Sequence, residues 1–520
     1  MSRQFSDDDR AQLKSRGISV AEAEWQLEVL GGSPPTRALV RACSLGDGVC
    51  QLGSSALDEA LGAYERGRQA GRITKFVPAS GAASRMFECL RWYEAQLDNG
   101  DDDVQSLLSG EDAHAVACRQ VFRQLRDLAV SDDIAAEIAR GGESFDDVCK
   151  VGRWSAVVDA ALGADRLNLA AIPKGLVKFH RSPGGARTAF EEHLVEAALL
   201  VADATGSCRA EFTILPEHQD GFSRELASVR SRIESEYGVS LTVEFSYQAN
   251  STMTVALSAS GEPFHKGDGR LLLRPGGHGA LIKNLDGTRH DVLFVSNIDN
   301  IVPDRLKEVV VHWKKVLLGH LLLLQEKTFS ALKLLQRIDV TDDQLESIGN
   351  LVRGDLSGAL GADFDGLPSA ARQARLVEAL DRPIRVCGVV KNEGEPGGGP
   401  FWVVGADGLV RPQIVESSEV DPSDETQRAI FSSASHFNPV SIACGLRNAD
   451  DEPYDLDRFV DQSAVFIAKK SHEGRELRAL ERPGLWNGAM SGWTTVFVEV
   501  PSKTFNPVKT IGDLLRESHR

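Results

Sequence analysis

Between Pro173 and Pro303 short apolar runs alternate with helical patterns, and this alternation narrows the folds open to the chain more than any other feature. The runs EFTILPE (Glu211–Glu217), SLTVEFSYQ (Ser240–Gln248) and DVLFVSNIDN (Asp291–Asn300) read as strands, as does the earlier KFVP (Lys75–Pro78). FEEHLVEAALLVADA (Phe190–Ala204) reads as an amphipathic helix and FSRELASVRSRIESEYG (Phe222–Gly238) as a second helix. Strands that alternate with helices imply βαβ units and a mainly parallel sheet. A strand as continuously apolar as VLFVS belongs in the interior of such a sheet.

Around this core the chain is helical at both ends of the pattern. Residues 6 to 30 and 55 to 70 carry helical spacing, with Ser6 placed as an N-cap before a run of aspartates. The expected division is a helical cap over 1–72, a core half over 73–303 with a helical insertion at about 91–169, a second helical insertion over 304–380, and a last half over 381–520. In that last half IRVCGVVK, FWVVG, QIVES, AVFIAKK and TTVFVEV read as strands, and TFNPVKTIGDLLRES as a tail. Asp98–Asp103 and Gly394–Pro400 read as loops.

Composition excludes several classes. The chain has 75 acidic against 58 basic residues and a formal net charge of −17, a field that repels nucleic acid. Its eight cysteines are scattered without metal-ligand spacing, and read as reduced thiols. The acidic start MSRQFSDDDR lacks the pattern of an export signal, so a cytoplasmic protein is expected. Val309–Leu324, the most apolar long stretch, is interrupted by His312, Lys314, Lys315 and His320, and reads as a packed helix with no membrane partner implied. The oligomeric state stays open.

Three segments carry chemistry. In PASGAASRMF, Ala79, Ser80, Gly81, Ala82 and Ala83 form a small-residue turn after a strand and before a helix, where backbone N–H groups can cradle an anion and Arg85 can clamp it. The alternative is a tight strand-to-helix connection. In IPKGLVKFH, Lys174 stands between a proline and a glycine, which makes it a positioned point charge rather than one more solvated lysine. In SNIDN, Asp299 follows a buried strand, at the sheet edge where α/β proteins bind ligands, and suits a hard cation such as Mg²⁺; capping a helix is the other reading. RPGGHGAL adds a loop in which Gly276, Gly277 and Gly279 surround His278, either for close approach to a ligand or as a hairpin turn.

PASGAASRM resembles the glycine-rich signature of sugar-1-phosphate nucleotidylyltransferases, PKGLVKF resembles their Pro-Lys-x-Leu segment, and SNIDN is similar to their metal-binding aspartate motif. The GGHG loop and the strand end at Gln248 look most like the eukaryotic-type UDP-sugar pyrophosphorylases, while the whole chain resembles a bacterial family catalogued as a domain of unknown function. Ser80-Gly81-Ala82 departs from the paired glycines of the enzymes, and both helical insertions are foreign to them.

The resemblance implies a glycosyltransferase-A-like, Rossmann-related fold and a Mg²⁺-dependent enzyme. Its reaction would be attack of a sugar phosphate on a nucleoside triphosphate, UTP first among them, with release of pyrophosphate. On that reading Ala79–Ala83, Gln248 and Gly276–Gly279 bind the nucleotide, Arg85 and Lys174 act on the phosphates, and Asp299 holds the metal. Glu416, Glu393 and Asn438 would face the sugar, with Asn487 near a second metal contact; each could equally cap a turn. Two other readings stand beside it. One is a catalytically silent sugar-nucleotide or phosphosugar binder on the same fold, and the other a glycosyltransferase, which would carry an Asp-x-Asp motif where this chain has Asn297-Ile298-Asp299.

Overall fold

The computed structural model describes residues 5–98, 108–285, 290–394, 397–405 and 407–520. From residue 99 on, the loop expected at Asp98–Asp103 lies outside the described residues, as do residues 395 and 396 of the one expected at Gly394–Pro400. The remainder of the second is a correction, because Gly398–Val404 is a strand paired with Val410–Glu416. The fold is mixed α/β, with parallel pairings in both of its compact units.

The first unit comprises Met1–Thr74, Ser246–Val295 and Lys315–Ser502. Its main sheet runs Ser44–Leu45, Gly48–Cys50, Thr494–Glu499, Ile384–Lys391, His436–Gly445 and Val292–Ser296. Ile384–Lys391 pairs in parallel with Thr494–Glu499 and antiparallel with His436–Gly445. A four-stranded antiparallel sheet, Leu273–Arg274, Thr254–Ser258, Arg475–Glu481 and Phe466–His472, is covered by the N-terminal helices Asp7–Ser15 and Val20–Gly31. Ser6 is the expected N-cap and closes a capping box with Asp9, and Leu13, Leu27 and Leu30 then bury against Val255, Leu257 and Leu480. Each such side chain contributes about 1.5–3 kcal/mol. Arg475–Glu481 is absent from the sequence reading because its polar residues break the alternation a strand would show.

The second unit comprises Lys75–Phe245, Ser296–Lys314 and Lys503–Arg520. The strand Ile73–Pro78 pairs in parallel with Ser207–Thr213, which has Ser240–Ser246 on its other side. The insertion expected at about 91–169 is helical, with Glu88–Asp98, Ala113–Arg123, Ser131–Arg140, Phe145–Val151 and Trp154–Leu162. Thr188 caps the helix Ala189–Leu200 through the Glu191 N–H at 3.1 Å. The expectation that this helix is amphipathic is corrected: Glu191, Glu192, His193 and Glu196 are as buried as Phe190 and Leu194, because each charged side chain meets a partner.

The expected helices between Arg305 and Leu380 are Asp304–Leu335, Asp342–Arg353 and Ser369–Leu380. Among the described residues no helix is long and apolar enough to cross a membrane. All eight cysteines are free thiols.

Candidate functional site

In the second unit the three chemical segments meet. The turn after Pro78 leans on the Pro173–Lys174 backbone: the Ala83 N–H donates to Ile172 O at 3.0 Å, and the Lys174 N–H to Gly81 O at 3.0 Å. Ala79 and Ala83 are buried and fix the turn, whereas Gly81, Ala82 and Arg85 are exposed and face outward ahead of the helix Glu88–Asp98. A methyl group placed on Gly81 would meet nothing within 4 Å, so the turn is open where an anion would approach.

Lys174 reaches Asp299. Its ammonium donates to Asp299 Oδ2 at 3.2 Å and to Val508 O at 2.8 Å. A second ammonium, Lys509, donates to the same oxygen at 3.1 Å. Burial pushes Lys174 below the ordinary lysine value, Asp299 pulls it back up, and the charges of Lys509 and Arg85 press it down again. Two ammonium groups therefore share one carboxylate oxygen, and Lys509, 62% exposed, is far more open to a ligand than Lys174, 14% exposed. Sequence reasoning missed Lys509. It lies in a segment with no helix or strand periodicity, and long-range bonds such as that of the Val508 N–H to Asp299 O at 3.0 Å bring it here.

The helix Ala189–Leu200 supports this cluster from within the core. His193 donates through Nε2 to Ile298 O at 3.2 Å, holding the backbone next to Asp299, and burial keeps its imidazole neutral. Glu196 accepts from Lys75 at 2.6 Å and from Lys314 at 2.7 Å, all three fully buried. Burial works to raise the Glu196 carboxyl, but the two lysines outweigh it and hold it low; burial likewise pushes Lys75 down to about 8. Glu192 binds Lys307 and accepts from His180 Nδ1 at 2.9 Å, and His180 Nε2 lies 2.9 Å from His519 Nδ1.

A separate cluster forms in the first unit. Gln248 Nε2 donates to Gly277 O at 3.4 Å, and His278 Nδ1 accepts the Leu485 N–H at 3.0 Å, which leaves the imidazole proton on Nε2. The His278 ring stacks on Trp486 at 4.3 Å, and burial pushes its pKa down to about 4. The Trp486 indole N–H donates to Glu416 Oε1 at 3.2 Å, and its carbonyl is held by the buried Arg385 at 2.6 Å. His278, Glu416, Glu481 and Ser418 line one cavity of about 260 Å³ with Phe466 and Val465.

The loop's glycines answer first to its own packing. Gly277 has φ +74°, and a Cβ on Gly279 would collide with the Pro483 carbonyl. Asn487 donates to Glu419 Oε2 at 2.7 Å beside this cavity. Asn438 is buried, with its Oδ1 accepting the Val440 N–H at 2.7 Å, and Glu393 is exposed on the loop after Ile384–Lys391. The structure thus gathers Gln248, Gly276–Gly279, Glu416 and Asn487.

Solved structures resemble the chain at low identity. A UDP-N-acetylglucosamine pyrophosphorylase from Trypanosoma brucei, in complex with an inhibitor, matches at 12% identity and TM-score 0.49, over 98% of this chain and 79% of that one. A UDP-glucose phosphorylase from Trypanosoma brucei matches at 12% identity and TM-score 0.44, over 99% and 80%. A mutant UDP-glucose pyrophosphorylase from Leishmania major, in complex with UDP-glucose, matches at 11% identity and TM-score 0.44, over 98% and 79%. No curated protein matches the chain by sequence. The family described as Domain of unknown function (DUF4301) matches residues 6–520, and the chain belongs to it.

Proposed function

We propose that the chain is a sugar-phosphate nucleotidyltransferase, which moves a nucleoside monophosphate from a nucleoside triphosphate, UTP first among them, to a sugar 1-phosphate and releases pyrophosphate. The observation that carries this reading is the pairing of Lys174 and Lys509 with one oxygen of Asp299, beside an open small-residue turn that leads into the exposed Arg85. Two ammonium groups against one carboxylate, with Arg85 exposed on the adjoining turn, suit a polyphosphate rather than a neutral ligand. Transfer between phosphates asks the protein for position and charge neutralisation and for no nucleophilic side chain. Backbone N–H groups at Ser80, Gly81 and Ala82 and the Arg85 side chain would hold the departing pyrophosphate, while Lys174 and Lys509 meet the charge that develops in transfer. The same reading assigns Gln248 and Gly276–Gly279 to the base and Glu416 to the sugar. A divalent cation, Mg²⁺ in the ordinary case, would neutralise the polyphosphate.

Incubation with each triphosphate and a panel of sugar phosphates, followed by assay of pyrophosphate, tests the proposal. Lys174→Ala and Lys509→Ala are each expected to lower turnover by about 10²–10³. Variants within threefold of the parent would remove these lysines from the chemistry. Tight triphosphate binding without any turnover would favour the silent binding protein.

A further inference from the structure

The carboxylate of Asp299 does not suit a resident cation. Its Oδ2 already accepts from two ammonium groups, at 3.2 and 3.1 Å, and a divalent ion drawn to that oxygen would meet both positive charges at close range. Two neighbouring oxygens also accept hydrogen bonds. Val508 O accepts from Lys174 at 2.8 Å, and Asn300 Oδ1 accepts the Asn506 N–H at 2.9 Å. Mg²⁺ demands near-octahedral oxygen ligation and usually draws it from water, one or two carboxylates and substrate phosphates. Here one carboxylate is offered, and it is already neutralised.

We infer that Asp299 is an internal counter-ion: in the ligand-free protein it occupies the place of a phosphate group between Lys174 and Lys509, and an incoming polyphosphate must displace it from both. The inference rests on the reading of this cluster as a polyphosphate site, and assigns Asp299 a different task from the metal ligand implied by resemblance. The geometry fits competition. A carboxylate oxygen and a phosphate oxygen make the same charge-assisted hydrogen bonds to an ammonium group. Lys509 can turn toward a ligand because most of its side chain is in solvent, whereas Lys174 is 14% exposed and is kept in place by Val508 O. Asp299 also seats the segment that carries Lys509, through its backbone carbonyl and the Val508 N–H, and an Asn substitution leaves that bond intact.

The sign of the effect separates the two tasks. Asp299→Asn removes an internal competitor, so inorganic pyrophosphate in the presence of a chelator should bind the variant about threefold to tenfold more tightly than the parent, as two partly exposed ion pairs no longer oppose it. Mn²⁺ alone, followed by its paramagnetic resonance signal, should titrate the parent and the variant identically. Pyrophosphate affinity that is equal or weaker in the variant would overturn the inference, and so would Mn²⁺ binding by the free parent that the substitution abolishes. Asp299→Ser gives the same comparison if the Asn variant does not fold. A parent that binds neither pyrophosphate nor triphosphate would overturn the transfer reading together with this one, while a parent that binds pyrophosphate better than its Asn variant overturns the counter-ion alone.

Discussion

Glycine is used in two opposite ways in this chain. At Gly81 a side chain would point into open space, and at Gly279 it would strike the Pro483 carbonyl. Gly81→Ala should therefore leave unfolding free energy within about 0.5 kcal/mol of the parent, so any loss of triphosphate affinity reports on the ligand. Gly279→Ala should cost about 1–3 kcal/mol through forced displacement of packed atoms. Denaturant titration of both variants checks the contrast, and equal stabilities would show that the second loop is not closely packed. The small-residue turn was legible in sequence because its composition is unusual; that the glycines of the second loop serve the loop's own packing was not, since Pro483 lies some two hundred residues away. Lys509 escaped notice for the same reason. Nothing local distinguishes it from a solvated lysine until Val508 docks on Asp299.

Secondary elements were read well where periodicity reports solvent, and badly where charge is buried. The helix Ala189–Leu200 carries Glu191, Glu192, His193 and Glu196, a set that a pattern argument places in water. The lysine partners of Glu192 and Glu196, namely Lys307, Lys75 and Lys314, come from distant stretches, so local spacing could not reveal that the helix is enclosed. Enclosure has a measurable consequence. Glu196→Ala leaves the ammonium groups of Lys75 and Lys314 in the core without this carboxylate, a change expected to cost about 3–5 kcal/mol. A loss below 1 kcal/mol in urea unfolding would mean that the core admits water or that the lysines shed their protons at little expense.

Across the molecule, burial holds several imidazoles neutral. His278 and His320 are pushed down to about 4 and His519 to about 3, while His180 and His193 are lowered in the same direction, burial being the first cause in each. The unfolded chain takes up these protons from about pH 6.5, so between there and about pH 4 it binds more protons than the folded one. The stability they contribute is complete above pH 6.5 and is lost as the pH falls toward 4. Urea midpoints should hold steady near neutrality and decline from about pH 6.5 to 5, before most carboxylates titrate; His320→Gln should flatten that decline. A midpoint that rises on acidification would contradict the assignment.

The second unit is built from Lys75–Phe245, Ser296–Lys314 and Lys503–Arg520, and the two lysines on Asp299 come one from the first of these and one from the third. A ribosome delivers them in that order. A nascent chain that has passed Asp299 can already form the Lys174 pair, yet it lacks Lys509 until a further two hundred residues have been made. The proposed chemistry is thus closed to unfinished polypeptides, and stalled translation products should bind triphosphate poorly however well their earlier segments have folded.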